Sequence, residues 1–356
     1  MNGIYTLAND KVYDQVVALL NSIEVNIGAD FPVCILPYDT NVERLQAEIA
    51  QRPQVTLFED QDSLQRWDNF TQKIWDLHPI AKSFWYRHQL TSTPEEYYRI
   101  TMRRKFCAFD GPFDQFIFLD ADVLVFDNLN RIFELLNHYD WVTYDFLYRQ
   151  PNQAFDLKAI QKHNLFTEEQ LSKVFCAGFF ASHRGFFDQT EMEQLLGYLA
   201  QGEIEVLVPR IPDQTITNYM ALRPGRSVYN LAQALPPEQR AGNCVTSPHF
   251  QNIDQVLYDR GIRLTYLHYI CVTSKILTAV SQGENIDFPY RDEYLYYRFL
   301  KEPDQAPQFS VDQPAIDYKA LRPQTTDGAS PIAWIPDPLY RKANQIVQKV
   351  TALLNC

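Results

Sequence analysis

An almost unbroken apolar run that contains two acidic residues constrains the fold of this chain more than any other feature. Residues 115–129 read QFIFLDADVLVFDNL, so Asp120 and Asp122 stand between two groups of apolar or aromatic side chains. That composition predicts a strand buried on both faces of a sheet. A carboxylate in such a place is costly unless a proton or a cation neutralises it. We therefore expect a positive group or an ion beside this pair.

The first half of the chain alternates between strand-like and helical patterns. Short β-like runs at 3–7, 32–36 and 55–58 are separated by helical patterns at 12–23 and 42–49. Such alternation is typical of βαβ units. It predicts an α/β fold with a Rossmann-like, mixed and mostly parallel sheet that is flanked by helices.

Later segments continue this alternation. The pattern predicts a strand at 116–119 that leads to the two aspartates, followed by a helix at 130–136. Interior strands are predicted within FCAGFFAS, residues 175–182, and within RLTYLHYICV, residues 263–272. No internal repeat is apparent.

Two segments depart from the alternation. Residues 59–109 are rich in aromatic side chains, which favours a helical insertion with its own small core over a substrate-stacking lid. After residue 300, frequent prolines predict an extended tail, and one apolar face at 339–354 predicts a final helix. We predict one domain over 1–300 and an extension over 301–356. Its helix is expected to pack on the body, with a homodimer or a membrane-surface contact as the alternative.

Charge and cysteine usage narrow the functional classes. The chain has 32 Lys and Arg against 44 Asp and Glu, a net charge of −12, so its overall field repels nucleic acid and anionic membranes. The six cysteines show no CxxC pair and no zinc-type spacing, which indicates reduced thiols. With no charged leader and no apolar run of about 18 residues, we expect a cytoplasmic protein without a transmembrane segment, or one peripheral to a membrane.

The spacing of the two aspartates indicates a type of chemistry. Asp-x-Asp at the carboxyl end of a buried strand puts two carboxylates at the edge where open α/β sheets bind ligands. Such oxygens suit Mg²⁺ or Mn²⁺, with a substrate diphosphate completing the coordination. The motif alone fits two capping or turn aspartates equally well.

The wider sequence resembles nucleotide-sugar glycosyltransferases with the GT-A fold, in particular glycosyltransferase family eight, the glycogenin and galactosyltransferase type. The resemblance covers residues 3–275 and rests on short motifs that occur in the family's order. These motifs are the opening YTLANDKVYDQVVALLNSI, the basic triplet Arg103-Arg104-Lys105, the Asp-x-Asp strand, Cys176-Ala177-Gly178 where the family has Asn-Ala-Gly, Asp213-Gln214, Tyr229-Asn230, and His268-Tyr269 followed by Lys275.

The resemblance implies roles for particular residues. It implies that Asp120, Asp122 and His268 hold Mn²⁺ or Mg²⁺. It further implies that the catalytic residues are Asp213 and Gln214 near the sugar and Lys275 at the departing diphosphate. The implied contacts with the nucleotide-sugar donor are Thr6, Leu7, Asn9, Asp10, Tyr13, Arg104, Lys105, Ala121, Gly178 and Lys275.

Each role has a structural alternative. A histidine in an apolar strand is commonly a satisfied interior residue, and a basic triplet on a helix is commonly a solvated face, so we expect one functional residue in the triplet. Asp213 could simply cap the helix that follows it.

The function implied by the resemblance is a hexosyltransferase that moves a sugar from a nucleotide-sugar, with UDP as the family default, to a saccharide, lipid or protein acceptor. Retention at the anomeric carbon is the family's stereochemistry. We expect the acceptor to meet the aromatic insertion or residues 144–166, because sugars and lipids both lie well against aromatic faces.

Departures from the family pattern keep a second function open. Cys176 replaces an asparagine and Cys271 stands where a glycine is usual, while Tyr13 and Lys275 are displaced from their expected spacing. A non-catalytic GT-A-like protein that binds a nucleotide or a glycan therefore remains the alternative.

Two other enzyme classes are disfavoured. A haloacid-dehalogenase-type phosphatase would open with its Asp-x-Asp motif and have Thr or Val where Leu124 stands. A pyrophosphorylase-type nucleotidyltransferase would have a glycine-rich loop after the first strand, but NDKVYD contains no glycine.

Overall fold

The computed structural model describes residues 1–87, 100–210, 212–310 and 314–321. The helix predicted at 339–354 lies outside the described residues. Among the residues that are described, no helix combines the length and the apolar character needed to cross a membrane.

A seven-stranded mixed sheet lies at the centre of the fold. The strands of the described chain are β1 Asn2–Ala8, β2 Val33–Pro37, β3 Val55–Leu57, β4 Gln115–Leu119, β5 Val123–Val125, β6 Trp141–Thr143, β7 Phe179–His183, β8 Val228–Asn230, β9 Gln251–Ile253, β10 Val256–Asp259, β11 Ile262–Arg263, β12 Tyr266–His268, β13 Ile286–Asp287 and β14 Ile316–Asp317. The central sheet has the order β3-β2-β1-β4-β7-β6-β8, and β7 runs antiparallel to the other strands. The predicted mixed, mostly parallel sheet is confirmed.

Helices connect the strands and cover both faces of the sheet. The α-helices are α1 Tyr13–Asn26, α2 Glu43–Ile49, α3 Gln61–Leu77, α4 Ala81–Arg87, α5 Asn130–Leu136, α6 Leu157–His163, α7 Glu168–Leu171, α8 Gln189–Ala200, α9 Asp213–Leu222, α10 Leu231–Ala234, α11 Ser274–Ser281 and α12 Arg291–Arg298. The 3₁₀ helices are Asp10–Val12, Ile100–Phe109, Leu147–Arg149, Pro151–Gln153, Glu203–Val206, Pro237–Gln239, Pro303–Gln305 and Tyr318–Leu321.

Alternate residues of the central strands enter two different cores. In β4, Phe116 and Phe118 belong to one buried cluster, whereas Ile117 and Leu119 belong to the other. This alternation explains why β4 is apolar from Phe116 to Leu119, because both faces of the strand are covered there.

The aromatic-rich segment at 59–109 is helical where it is described. Its aromatic residues do not form a separate core, however, because Trp67, Phe106 and Phe109 share one cluster with Phe116 of the central sheet. The ring centroids of Phe109 and Phe116 are 5.2 Å apart. The prediction of a small separate core is therefore wrong, and the reason is that these rings cover one face of the main sheet.

The apolar run that contains Asp120 and Asp122 forms two strands and not one. β4 belongs to the central sheet, whereas β5 leaves that sheet and pairs antiparallel with β12. The two aspartates occupy the break between these strands. The strand predicted at 116–119 agrees with β4, whereas β5 was not predicted.

Two interior strands are shorter than predicted. In FCAGFFAS the strand begins only at Phe179, and the preceding residues form a connection at the sheet edge. In RLTYLHYICV the strand that pairs with β5 is Tyr266–His268. The chain then turns, and Cys271 adopts a φ of 79°, the left-handed conformation in which glycine is favoured. This conformation agrees with the glycine that the family usually has at this position.

A buried ion pair joins the beginning of the domain to its end. Nε of Arg298 in α12 lies 2.6 Å from Oδ1 of Asp14 in α1, and their side chains are 8% and 7% exposed. Because both charges are largely removed from water, loss of one partner leaves the other uncompensated.

We predict that Arg298→Met lowers the free energy of unfolding by about 3 to 5 kcal/mol. Urea denaturation measures this quantity. The control is Arg184→Met, since Arg184 pairs with Asp114 while 48% of its own side chain is exposed. That variant should lose less than about 1 kcal/mol. Equal losses in the two variants would contradict the structural importance of the buried pair.

Candidate functional site

The predicted site residues meet at one edge of the central sheet. Because β1, β4 and β6 run in one direction, their carboxyl ends lie on the same side, and the antiparallel β7 begins there. The break after β4 carries Asp120 and Asp122, and Gly178 directly precedes β7. The backbone N–H of Asp120 donates to the carbonyl of Gly178 at 2.9 Å, which ties these two connections together.

His268 reaches the aspartates through the pairing of β12 with β5. In that ladder His268 lies opposite Val123, next to Asp122. Its Nε2 is 3.3 Å from Oδ1 of Asp122 and 4.0 Å from Oδ2 of Asp120. One ligand atom from each of these three side chains lies within 4.8 Å of the others. Two carboxylates and one imidazole fit Mn²⁺, and the carboxylates also fit Mg²⁺.

The two aspartates are more accessible than the apolar run suggested. The side chains of Asp120 and Asp122 are 32% and 26% exposed, whereas that of His268 is 11% exposed. The acids are only partly buried because they lie in the break between β4 and β5 and not within a strand. This partial exposure leaves the carboxylates open to a ligand from solvent.

Gly178 provides space for this cluster. A β-carbon at this position would lie 2.5 Å from Cε1 of His268 and 2.8 Å from Oδ2 of Asp120. Both distances are shorter than non-bonded carbon contacts allow. A glycine is therefore required here so that the imidazole and the carboxylate can face each other.

Burial and neighbouring charges oppose each other in setting the pKa values of the cluster. Burial would lower the pKa of His268, but the charge and hydrogen bond of Asp122 raise it well above its usual range. Burial would also raise the pKa of Asp122, but His268 holds it below its usual range. Burial raises the pKa of Asp120, and the negative charges of Asp213 and Asp122 add to this rise against the effect of Lys105. The site therefore stabilises positive charge.

Lys105 lies beneath the cluster and not on a solvated face. Its side chain is 2% exposed, and Nζ donates to Oδ1 of Asp120 at 3.2 Å, to Oδ2 of Asp213 at 2.5 Å and to the carbonyl of Ala177 at 3.2 Å. Burial would lower the pKa of Lys105, but the carboxylates of Asp120 and Asp213 raise it, so the side chain is a cation.

Asp213 and Gln214 begin α9 on the same side of the sheet. Burial would raise the pKa of Asp213, but Lys105 and Arg103 lower it, so this side chain is a carboxylate. The amide of Gln214 donates to the carbonyl of Gln153 at 3.1 Å. Lys105 thus links Asp213 to the metal-ligand cluster, whereas Gln214 contacts the 3₁₀ helix Pro151–Gln153.

The predicted nucleotide contacts near the end of β1 are buried, half-buried or hydrogen-bonded to other protein groups. Thr6 is fully buried, and its hydroxyl has no hydrogen-bond partner among the described residues. Asn9 accepts from the N–H of Lys11 and donates to Asp39, while Asp10 accepts from the first backbone N–H groups of α2. Leu7 is half-buried. Their contacts with a nucleotide remain predictions.

Tyr13 and Arg104 are also predicted to contact the nucleotide-sugar, and both already interact with protein side chains. The Tyr13 hydroxyl donates to Glu48 at 2.8 Å, and the Arg44 guanidinium lies 4.0 Å from the centre of the Tyr13 ring. Arg104 donates to both carboxylate oxygens of Asp68. A donor that used Tyr13 or Arg104 would therefore have to compete with these contacts.

The two remaining candidates differ in exposure. Ala121 is buried between the two aspartates. Lys275 is exposed in the first turn of α11, shortly after the turn that follows His268. Its side chain is accessible to a ligand, and its role at a diphosphate stays a prediction.

Sequence analysis did not identify Asp145 as a member of the site. Its side chain accepts from the N–H of Leu147 at 2.7 Å and from the N–H of Cys176 at 3.1 Å, and burial raises its pKa to about 6. The Cys176 thiol in turn hydrogen-bonds the His268 ring. The signal available in the sequence was an acidic residue two positions after the segment WVT, which forms β6.

No family model matches this sequence, and no curated protein matches it. Solved structures of glycosyltransferases are similar to the fold. The galactosyltransferase LgtC, in complex with donor and acceptor sugar analogues, is 16% identical, covers 65% of this chain and 73% of its own, and has a TM-score of 0.43. The bifunctional glycosyltransferase WbbM is 14% identical, covers 86% of this chain and 51% of its own, and has a TM-score of 0.47. The glycosyltransferase GlyE of Streptococcus pneumoniae TIGR4 is 13% identical, covers 88% of this chain and 67% of its own, and has a TM-score of 0.44.

We predict that Gly178→Ala weakens the binding of Mn²⁺ by at least about tenfold, because the added methyl group displaces His268 or Asp120. Isothermal titration with MnCl₂ measures this affinity. The control is Gly197→Ala in α8, where an added β-carbon meets nothing within 4 Å. Unchanged Mn²⁺ affinity in Gly178→Ala would show that the cluster does not bind the ion.

Proposed function

We propose that this chain is a metal-dependent glycosyltransferase of the GT-A type, related to glycosyltransferase family eight. It would transfer a hexose from a nucleotide-sugar, with UDP as the expected nucleotide, to a saccharide, lipid or protein acceptor, with retention at the anomeric carbon. The observation that carries this proposal is the convergence of Asp120, Asp122 and His268 within 4.8 Å at the carboxyl edge of the sheet.

Several side chains would have separate roles in the reaction. Asp120, Asp122 and His268 would hold Mn²⁺ or Mg²⁺, and the bound ion would supply Lewis-acid stabilisation of the departing nucleoside diphosphate. Lys275 would add positive charge near that group from the exposed first turn of α11. Asp213 at the start of α9 would accept hydrogen bonds from sugar hydroxyls.

The connection that follows β6 is a suitable place for the acceptor. Phe146 and Tyr148 are partly exposed there, and the Arg149 guanidinium lies 5.0 Å and 5.5 Å from the two ring centres. Aromatic faces beside a cation suit the apolar faces and hydroxyls of a sugar. This connection falls within residues 144–166, where the sequence predicts the acceptor.

A non-catalytic nucleotide-binding or glycan-binding protein is the second candidate. It is favoured by Cys176, whose thiol contacts His268 at the position where the family has an asparagine amide. A thiol lacks the two donors and the carbonyl acceptor that an amide offers to a sugar hydroxyl. The two candidates differ in turnover and not in metal binding.

The test is incubation with a panel of UDP-sugars and GDP-sugars, in which release of free sugar is measured with Mn²⁺, with Mg²⁺ and with chelator. We expect slow hydrolysis of one donor that requires the metal, because water can replace an absent acceptor. Asp122→Asn should reduce this rate at least about 100-fold, because it removes a charged ligand of the ion.

The matched control is Asp127→Asn, the same change in the same segment but outside the cluster, and its rate should equal that of the wild type. Metal-dependent binding of a donor without hydrolysis would favour the non-catalytic candidate. Failure of every nucleotide-sugar to bind would contradict the glycosyltransferase and a nucleotide-binding protein, and would leave only the glycan-binding form of the second candidate.

A further inference from the structure

Lys105 has no hydrogen-bond donor left for a ligand. An ammonium group has three N–H donors, and in this structure they face Oδ1 of Asp120, Oδ2 of Asp213 and the carbonyl of Ala177. The side chain is 2% exposed, and Nζ also lies 4.6 Å from the centre of the Phe118 ring. The donor contact that the resemblance implies for Lys105 would therefore require the loss of one of these bonds.

The contact with Lys105 leaves the second oxygen of Asp120 facing the metal-ligand cluster. Lys105 holds Oδ1, whereas Oδ2 is 4.0 Å from Nε2 of His268. The terminal torsion of an aspartate is soft, so a fixed partner on one oxygen restricts where the other oxygen points. Such outer partners commonly orient metal ligands.

The same ammonium group fixes a second acid. Asp213 is the first residue of α9, and its side chain is 19% exposed. Its Oδ2 accepts from Lys105 at 2.5 Å. One buried cation thus contacts both a predicted metal ligand and a predicted sugar-binding residue.

We propose that Lys105 is a positioning residue that orients Asp120 toward the ion and Asp213 toward the donor sugar, and that it contacts neither ligand itself. This inference rests on the proposed function. It assigns to Lys105 a role through two other side chains, in place of direct neutralisation of the diphosphate.

The sign of one measurement separates this role from simple electrostatics. Lys105→Met removes a positive charge beside Asp120 and keeps most of the length of the side chain. If only charge mattered, loss of a nearby cation would strengthen the binding of Mn²⁺. If Lys105 orients Asp120, the same change weakens binding, by about 10-fold to 100-fold as for other outer partners of metal ligands.

The experiment is titration of the full chain with MnCl₂ in the absence of nucleotide. We expect Lys105→Met to weaken Mn²⁺ binding, Lys105→Gln to weaken it less because the amide retains donors, and the control Lys162→Met to leave it unchanged. Lys162 is an exposed lysine that pairs with Glu205. Tighter or unchanged binding in Lys105→Met would overturn the proposal.

A second readout concerns Asp213. In the presence of saturating Mn²⁺, Lys105→Met should reduce the affinity for a nucleotide-sugar more than the affinity for the same nucleoside diphosphate without its sugar. An equal reduction for both ligands would overturn the claim that Lys105 orients Asp213.

The result also separates this inference from the proposed function. A wild type that binds Mn²⁺ but no nucleotide-sugar would contradict the function while the Mn²⁺ titration still tested the orientation of Asp120. If thermal unfolding shows that neither Lys105→Met nor Lys105→Gln folds, Lys105 is a structural residue and the proposal is overturned.

Discussion

Negative charge concentrated at the end of a buried strand is the constraint on which this structure depends. Asp120 and Asp122 are separated by one residue, and Asp213 reaches Asp120 through the ammonium of Lys105. Three carboxylates so close together oppose one another unless cations lie among them. The buried Lys105 supplies one positive charge, and the His268 ring lies beside the two aspartates. With His268 neutral, the form in which an imidazole binds a metal, three carboxylates and one ammonium leave a formal charge of −2 that a divalent ion would balance.

The surrounding fold keeps these groups in place. Asp120 is fixed by β4 and by the backbone bond to Gly178, whereas His268 is fixed by the ladder of β12 with β5. Gly178 has no side chain, so the imidazole and the carboxylate can approach each other. Each of these features belongs to a rigid strand or to its immediate end, which favours a preorganised ligand set over one that forms only on binding.

The sequence predicted the fold better than the details of the site. Alternating patterns predicted the parallel strands and their helices, because local periodicity reflects which faces are buried. Strand β5 after the two aspartates was not predicted, since the run is apolar on both sides of them and composition does not show that its second half pairs with β12. Composition also could not show that Trp67 and its aromatic neighbours cover the main sheet, because it does not specify which surface a ring packs against.

Contacts between residues far apart in the sequence explain the other features of the site that were not predicted. The contact of Lys105 with Asp213 joins residues 108 positions apart, and nothing local to either residue indicates it. Asp145 was missed for the same reason, because its partner Cys176 lies in a different loop.

The most direct test of the metal site is anomalous diffraction from crystals soaked in MnCl₂. The account predicts one strong Mn²⁺ peak coordinated by Asp120, Asp122 and His268. Crystals that bind Mn²⁺ elsewhere, with no peak at these side chains, would contradict it.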